Sequence, residues 1–273
     1  MRFLCLHGRG TNSDIFESQL APLFSRVSPH HTFDFVDAPF DCVAAHGISQ
    51  LYQPPYLTWH TQYEPQHVEP VHDFLRTVIE EDGPYDGVIG FSQGAALAAS
   101  FLLCHEHYAQ IRDPGRRHKP PFKVAIFINS VMTFSPSEHI GSNISQHIKS
   151  QEEKHMAFIE GVDSLGAEDF TPTETYTTID GDSIYGFPKD TFAPRISIPT
   201  LHLYGTEDQF LEHSEELVGL CRGDRTEVLP VRGGHELPRT NPAWDKFAAL
   251  FEMVAMTAAL MDPSSRRGSA TTS

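Results

Sequence analysis

The sequence predicts an α/β fold, a mostly parallel sheet of about six strands with helices on both faces. Short β-rich runs alternate along the chain with segments whose apolar residues recur at helical spacing, the pattern of strands joined by crossover helices. The chain has 273 residues, 40% hydrophobic and 21% charged, which is enough to build a sizeable core. A length of this order is ordinary for one α/β domain, here expected over residues 1–261.

The first strand is expected at 2–6, where an apolar run ends at once in His7-Gly8 and is too short for a secretory signal. A helix follows over 14–26, with Asp14 ahead of Glu17 as a first-turn capping pair. Further strands are expected at 32–36, 85–91, 122–129, 200–204 and 226–231, and further helices at 67–81, 93–109, 210–221 and 242–261. Two stretches break this rhythm. Residues 38–66 carry Pro39, Pro54, Pro55 and Pro65, and residues 132–198 are rich in Ser, Thr, Gly and Pro. Insertions of this length in a compact domain read as lids or binding loops. Residues 262–273 read as a disordered tail.

Charge and cysteine usage exclude several classes of function. Lys plus Arg is 20 against 36 for Asp plus Glu, a formal net charge of −16, which opposes binding to nucleic acid or to an anionic membrane. The longest apolar stretch, 247–261, contains Glu252 and falls short of a bilayer span. Four cysteines without zinc-ligand or C-x-x-C spacing read as reduced thiols of a cytoplasmic protein. His105, His107 and His118 lack a grouped carboxylate or thiolate, so neither a metal nor any other cofactor is expected.

The chemical signal is Gly90-Phe91-Ser92-Gln93-Gly94, which leaves an apolar strand and opens a small-residue helical run. A G-x-S-x-G match alone arises by chance on the order of one time in ten in such a chain. Its strand–turn–helix setting makes it a nucleophile elbow, with flanking glycines that avoid clashes any Cβ would bring. A serine hydroxyl needs a base within hydrogen-bond reach and a carboxylate to orient that base. In this arrangement the chain order is Ser, acid, His. Asp208 follows the strand at 200–204 and is the expected acid, ahead of Glu207 and Asp224; among 16 histidines, His235 follows the last strand and is the expected base.

Two backbone N–H donors are needed for the oxyanion of an acyl-transfer intermediate. They are expected from Gln93, next to the nucleophile, and from Arg9 in the His7-Gly8-Arg9-Gly10 loop after the first strand. That loop lacks the G-K-[ST] ending of a P-loop and the third glycine of a dinucleotide motif. Because the elbow's own sheet begins at residue 2, the fold reads as a trimmed α/β-hydrolase lacking extra N-terminal strands.

Four segments, Phe3-Leu4-Cys5-Leu6-His7-Gly8, Gly90-Phe91-Ser92-Gln93-Gly94-Ala95, His202-Leu203-Tyr204-Gly205-Thr206-Glu207-Asp208 and Gly233-Gly234-His235, span nearly the whole chain in order. With them the chain resembles the fungal-type family of small serine hydrolases that includes the thioesterase releasing the polyketide in lovastatin biosynthesis. The resemblance implies an α/β-hydrolase with the triad Ser92, Asp208 and His235, acting on esters or thioesters, often within fungal polyketide clusters.

The substrate expectation is an acyl ester or thioester, with an acyl carrier domain of a polyketide synthase as a candidate partner. A carboxylesterase, an acyltransferase and a non-hydrolytic binding protein on the same scaffold are the alternatives. Tyr56 and Trp59, in a proline-stiffened loop with Tyr52 and Tyr63, and Phe91 beside the nucleophile are the candidate substrate-binding residues; the loop aromatics equally fit a role in tacking that loop to the domain. The basic run at 112–119 follows the helix after Ser92 and is expected at the opposite end of the sheet from the site.

Overall fold

A computed structural model describes residues 1–112, 119–150 and 183–261. The expected tail, the middle of the second insertion and most of the basic run lie outside them. Six strands form one sheet: β1 (Arg2–Leu6), β2 (Thr32–Val36), β3 (Gly87–Phe91), β4 (Val124–Ile128), β5 (Thr200–Gly205) and β6 (Thr226–Val231). They run in the order β6-β5-β4-β3-β1-β2, and every neighbouring pair is parallel. The α-helices among the described residues are α1 (Ser13–Phe24), α2 (Pro65–Asp82), α3 (Gln93–Arg112), α4 (Leu211–Gly219) and α5 (Asn241–Met261).

Alternation along each strand divides the core between two faces. Leu4, Leu6, Val88, Ala125 and Phe127 pack with Val71 and Leu75 of α2, with the alanines of α3 and with Leu217 of α4. Phe3, Cys5, Ile89, Ile126, Leu201 and Leu203 pack with Phe16 and Leu20 of α1 and with Phe247 and Phe251 of α5. Each fully buried Leu or Phe contributes about 1.5–3 kcal/mol relative to exposure, so both helical layers are held by burial rather than by intrinsic propensity. Pro230 lies in β6, an edge strand, where a missing N–H costs no ladder bond on the open side.

The expected capping pair at Asp14 and Glu17 is replaced by Asn12, whose Oδ1 accepts the Ile15 N–H at 2.8 Å. The run Thr11-Asn12-Ser13-Asp14 offers four capping side chains in succession, and only the packing of α1 selects among them.

In the first insertion, Phe40–Asp41 pairs antiparallel with Leu57–Thr58. This segment is stitched to the loop after β1: Gly10 donates to the Leu57 carbonyl at 2.9 Å, Leu57 donates to Thr11 at 2.7 Å, and Ala45 donates to Gly10 at 3.0 Å. In the second insertion, Ser142–Asn143 pairs antiparallel with Tyr185–Gly186. Because all six strands run the same way, the segments leaving their carboxyl ends, which contain Gly8, Ser92, Asn129, Asp208 and His235, gather on one rim.

Candidate active site

Ser92 stands between β3 and α3 with φ 53°, a left-handed conformation that costs a non-glycine residue roughly 1–2 kcal/mol. Its backbone is held there by the Ser92 N–H donating to Ile128 O at 2.9 Å and by the Ala95 and Ala96 N–H groups donating to Ser92 O. The flanking glycines are steric requirements. A Cβ on Gly90 would lie 2.5 Å from the Ala95 backbone, and one on Gly94 would collide with the Leu6 carbonyl. The elbow therefore presses the first turn of α3 against β1.

The three expected triad residues converge. His235 Nε2 lies 2.8 Å from Ser92 Oγ, and His235 Nδ1 lies 2.8 Å from Asp208 Oδ2. An ionised carboxylate only accepts, so Nδ1 carries the imidazole proton and the Nε2 lone pair faces the serine hydroxyl. The Asp208 side chain is fully buried. Its Oδ1 accepts the Phe210 N–H at 2.8 Å, which fixes the carboxylate's orientation. The competing acids are occupied elsewhere: Glu207 pairs with Arg232, and Asp224 pairs with Arg222 and Arg225 ahead of β6.

The loop after β1 is ordered by His7 and Thr11. His7 Nε2 accepts the Ala38 N–H at 3.0 Å, so Nδ1 is protonated and donates to the Gly8 carbonyl at 2.7 Å. Thr11 Oγ1 donates to the same carbonyl at 2.7 Å. In a trans peptide C=O and N–H point oppositely, so this double anchor turns the Arg9 N–H away from His7 and Thr11. Gly8 also passes close to the nucleophile: a Cβ there would lie 2.8 Å from the Phe91 ring and 3.3 Å from Ser92 Cβ. Gln93 opens α3, so its N–H belongs to the first-turn donors that have no intrahelical acceptor.

Of the aromatic substrate-binding expectations, the one for Trp59 requires correction. Trp59 is completely buried and donates its indole N–H to the His7 carbonyl at 2.8 Å, so it anchors the β1 exit and offers no face to a substrate. The Tyr56 hydroxyl donates to the Tyr52 carbonyl at 2.7 Å within the loop. Phe91 belongs to the core on the α1 and α5 side, its ring centroid 6.2 Å from Phe16 and 5.5 Å from His235. Aromatic content marks loops that must be pinned as well as loops that bind. The direction of these rings is set by tertiary contacts that no local pattern encodes.

Side chains not singled out in the sequence also shape the site. Gln93 Oε1 accepts the Trp59 N–H at 3.0 Å and Gln93 Nε2 donates to the His60 carbonyl at 3.0 Å, which ties the first insertion to the elbow. Asn129, directly after β4, bonds to both the acid and the base loops. An asparagine immediately following a buried strand is a recognisable positive-φ signal, and Asn129 has φ 44°. A cavity of about 500 Å³ lies between α4 and the second insertion, lined in part by Met132, Ile144, His147, Phe187, His213 and Leu217; Ser92, Asp208 and His235 do not line it. The Phe210 ring lies 5.1 Å from that of His235 and 5.8 Å from that of His213, a residue of the cavity wall.

Burial decides the ionisation of the remaining nucleophiles and bases. It pushes the Cys104 and Cys221 thiols up to about 12 and raises Cys5 and Cys42 as well, so these sulfurs stay protonated and compete poorly with a base-activated serine. Burial lowers His60 and His213 to about 4, and His72 and His202 to about 3. These imidazoles are neutral when folded, whereas in the unfolded chain they titrate near the ordinary 6.5. Above that pH the two states bind the same protons; as pH falls from about 6.5 toward 4 only the unfolded chain takes them up, and stability is lost. Tm is accordingly expected to be lower at pH 5 than at pH 7 by more than about 5 °C, given roughly 2–4 °C per kcal/mol for a chain of this size. A flat Tm profile would contradict neutral burial of these groups.

A parallel α/β-hydrolase sheet carrying a serine, histidine and carboxylate chain at its strand ends defines the class of serine hydrolases. The sequence model described as "Serine hydrolase (FSH1)" matches residues 1–247, and the chain belongs to that family. It is 30% identical to "Esterase alnB" of Emericella nidulans over 88% of this chain and 91% of that protein. It is also 29% identical to "Hydrolase FUB4" of Gibberella moniliformis, over 92% of this chain and 97% of that protein. Among solved structures it resembles an acyl-protein thioesterase 2 of Zea mays, with a TM-score of 0.52, 14% identity and coverage of 93% of each chain. A monoacylglycerol lipase of Paleococcus ferrophilus gives a TM-score of 0.52 at 17% identity, over 93% of this chain and 94% of that one. These two likenesses concern the fold. Among the described residues, no helix is long and apolar enough to cross a membrane.

Proposed function

We propose that Ser92, His235 and Asp208 are the catalytic triad of an acyl hydrolase that cleaves a thioester or ester and releases a polyketide-type acyl product from a carrier. The observation that carries this reading is the pair of 2.8 Å contacts from Ser92 through His235 to Asp208 beneath a left-handed elbow. Ser92 Oγ attacks the acyl carbonyl while its proton passes to His235 Nε2, and the buried Asp208 stabilises the resulting imidazolium. The Arg9 and Gln93 N–H groups hold the oxyanion. Collapse returns the proton from His235 to the leaving thiol or alcohol, leaving an acyl-enzyme. Water, deprotonated by His235, then releases the acid and restores Ser92.

We assign the acyl portion to the cavity whose wall includes His213, the neighbour of Phe210, and whose volume of about 500 Å³ falls within the range of small-molecule sites. All four cysteines are free thiols, and we place the enzyme in the cytoplasm on that ground. An acidic carrier gains no long-range attraction from a chain at −16, so carrier docking requires local contacts. A second reading, hydrolysis of an oxygen ester, is favoured by the relatives' names, since "Esterase alnB" and "Esterase FPY3" of Fusarium mangiferae are both called esterases. The deciding comparison is kcat/KM for an octanoyl N-acetylcysteamine thioester against an oxygen ester of similar size, with Ser92→Ala as blank. The carrier reading expects a thioester preference well beyond the intrinsic reactivity difference. Equal or ester-biased rates would move the assignment to a carboxylesterase.

A further inference from the structure

We infer that Asn129 is a positioning residue that locks the acid loop and the base loop of the triad to each other. This rests on the proposed roles of Asp208 and His235 and goes beyond them. Asn129 is fully buried at the carboxyl end of β4. Its Oδ1 accepts the Gly205 N–H at 2.9 Å, at the start of the turn that carries Asp208. Its Nδ2 donates to the Glu236 carbonyl at 2.7 Å, on the residue after His235. One amide therefore bridges the two loops, and its orientation follows from its partners, because a flipped amide would set donor against donor and acceptor against acceptor.

The neighbouring geometry shows why such a bridge is needed. His235 rides on Gly233-Gly234, with Gly233 at φ 148°, a segment with little rigidity of its own. The base loop also passes so close to Gly205 that any Cβ there would collide with the Gly234 carbonyl. Besides the His235–Asp208 contact, the exposed Glu207–Arg232 pair and the packing of Phe210 on His235, the two loops are joined through the backbone by Thr206 N–H to Val231 O at 2.8 Å and Glu207 N–H to Gly233 O at 2.9 Å, both ahead of His235 in the chain. Asn129 supplies the bond on the far side of His235. Its own backbone is held by its N–H donating to Leu203 O at 2.8 Å, and its φ of 44° is one that asparagine tolerates.

The test compares wild type with Asn129→Gly, which keeps the left-handed backbone and deletes the amide, and Asn129→Asp. The latter keeps the acceptor for Gly205, removes the donor to Glu236 and brings a second negative charge to the acid–base pair. We expect Asn129→Gly to lower kcat on p-nitrophenyl butyrate about 10- to 100-fold with KM changed less than about threefold, since misplacement of a base acts on the chemical step. Fluorophosphonate labelling of Ser92 should slow in proportion. Asn129→Asp, which lacks the donor to the Glu236 carbonyl, should show the same loss in kcat with KM little changed, and its added charge should move the acidic limb of the kcat/KM profile to higher pH; if Asn129→Gly fails to fold, the kcat-against-KM split of Asn129→Asp decides. kcat within twofold of wild type in the folded variants would overturn the inference. Ser92→Ala is run beside them: if it abolishes turnover while the Asn129 variants behave as wild type, only the inference falls, whereas an active Ser92→Ala removes the triad reading itself.

Discussion

Replacing Ser92 with alanine is expected to lower kcat by about 10⁵- to 10⁶-fold while leaving the protein folded, the loss typical of deleting a catalytic serine. The site geometry explains both halves of this expectation. The hydroxyl is the group to which His235 Nε2 is hydrogen-bonded, at 2.8 Å, and the cysteine thiols do not substitute for it, because burial keeps them protonated. The elbow itself depends on the backbone bond from Ser92 N–H to Ile128 O and on Gly90 and Gly94, none of which the substitution touches. Alanine at φ 53° bears a strain similar to that of serine, so Tm should move by no more than a few degrees. Steady-state hydrolysis of p-nitrophenyl butyrate and a thermal melt check the two halves; retention of more than about one per cent of activity would remove Ser92 from the mechanism.

Asp208→Asn is expected to cost about 10³- to 10⁴-fold in kcat, more than a single lost hydrogen bond would predict. The reason lies in the two oxygens of Asp208. Oδ1 accepts the Phe210 N–H at 2.8 Å, and this bond selects the amide orientation in the variant by holding its oxygen there. The amide nitrogen then falls where Oδ2 faced His235 Nδ1. A donor now meets Nδ1, so the imidazole must accept at Nδ1 and carry its proton on Nε2, toward Ser92. In that tautomer the histidine has no lone pair with which to take the serine proton. kcat should fall with KM nearly unchanged. A loss of less than about tenfold would show that Asp208 does not set the tautomer of His235.

Much of this arrangement is legible in the sequence, and the reasons differ by element. Strands β1, β2 and β6 fall at the residues expected from their apolar runs, because clear breaks such as His7-Gly8 and Gly233-Gly234 bound them. Strands β3 and β4 begin two residues later than the runs at 85–91 and 122–129, since Tyr85 and Phe122 are buried without pairing in the sheet. Hydrophobicity reports burial, not hydrogen bonding. Ser92, Asp208 and His235 are visible because a parallel sheet delivers every strand's carboxyl end to one rim, so chain order alone indicates their neighbourhood.

The residues that hold the site in place are less legible. In the sequence Trp59 fits a binding role and a role in pinning its loop equally well, and the structure makes it an anchor for the His7 carbonyl. Gln93 carries an expected backbone role, yet its side chain also fastens the first insertion to the elbow. Asn129 sits in no motif, and its two bonds reach residues 76 and 107 positions away. Such roles depend on which loops meet in space. They become readable once the topology is known, and the left-handed conformations of Ser92 and Asn129 then mark where the backbone is held against its preference.

The central claim is that an acyl group passes through Ser92, and trapping that intermediate tests it most directly. Wild-type enzyme turning over p-nitrophenyl octanoate should be quenched in acid within the first turnovers, digested and examined by mass spectrometry. An octanoyl adduct is expected on the peptide containing Ser92, appearing with the burst of p-nitrophenol and absent from Ser92→Ala. An adduct on another residue, or none in a preparation that is turning over substrate, would contradict it.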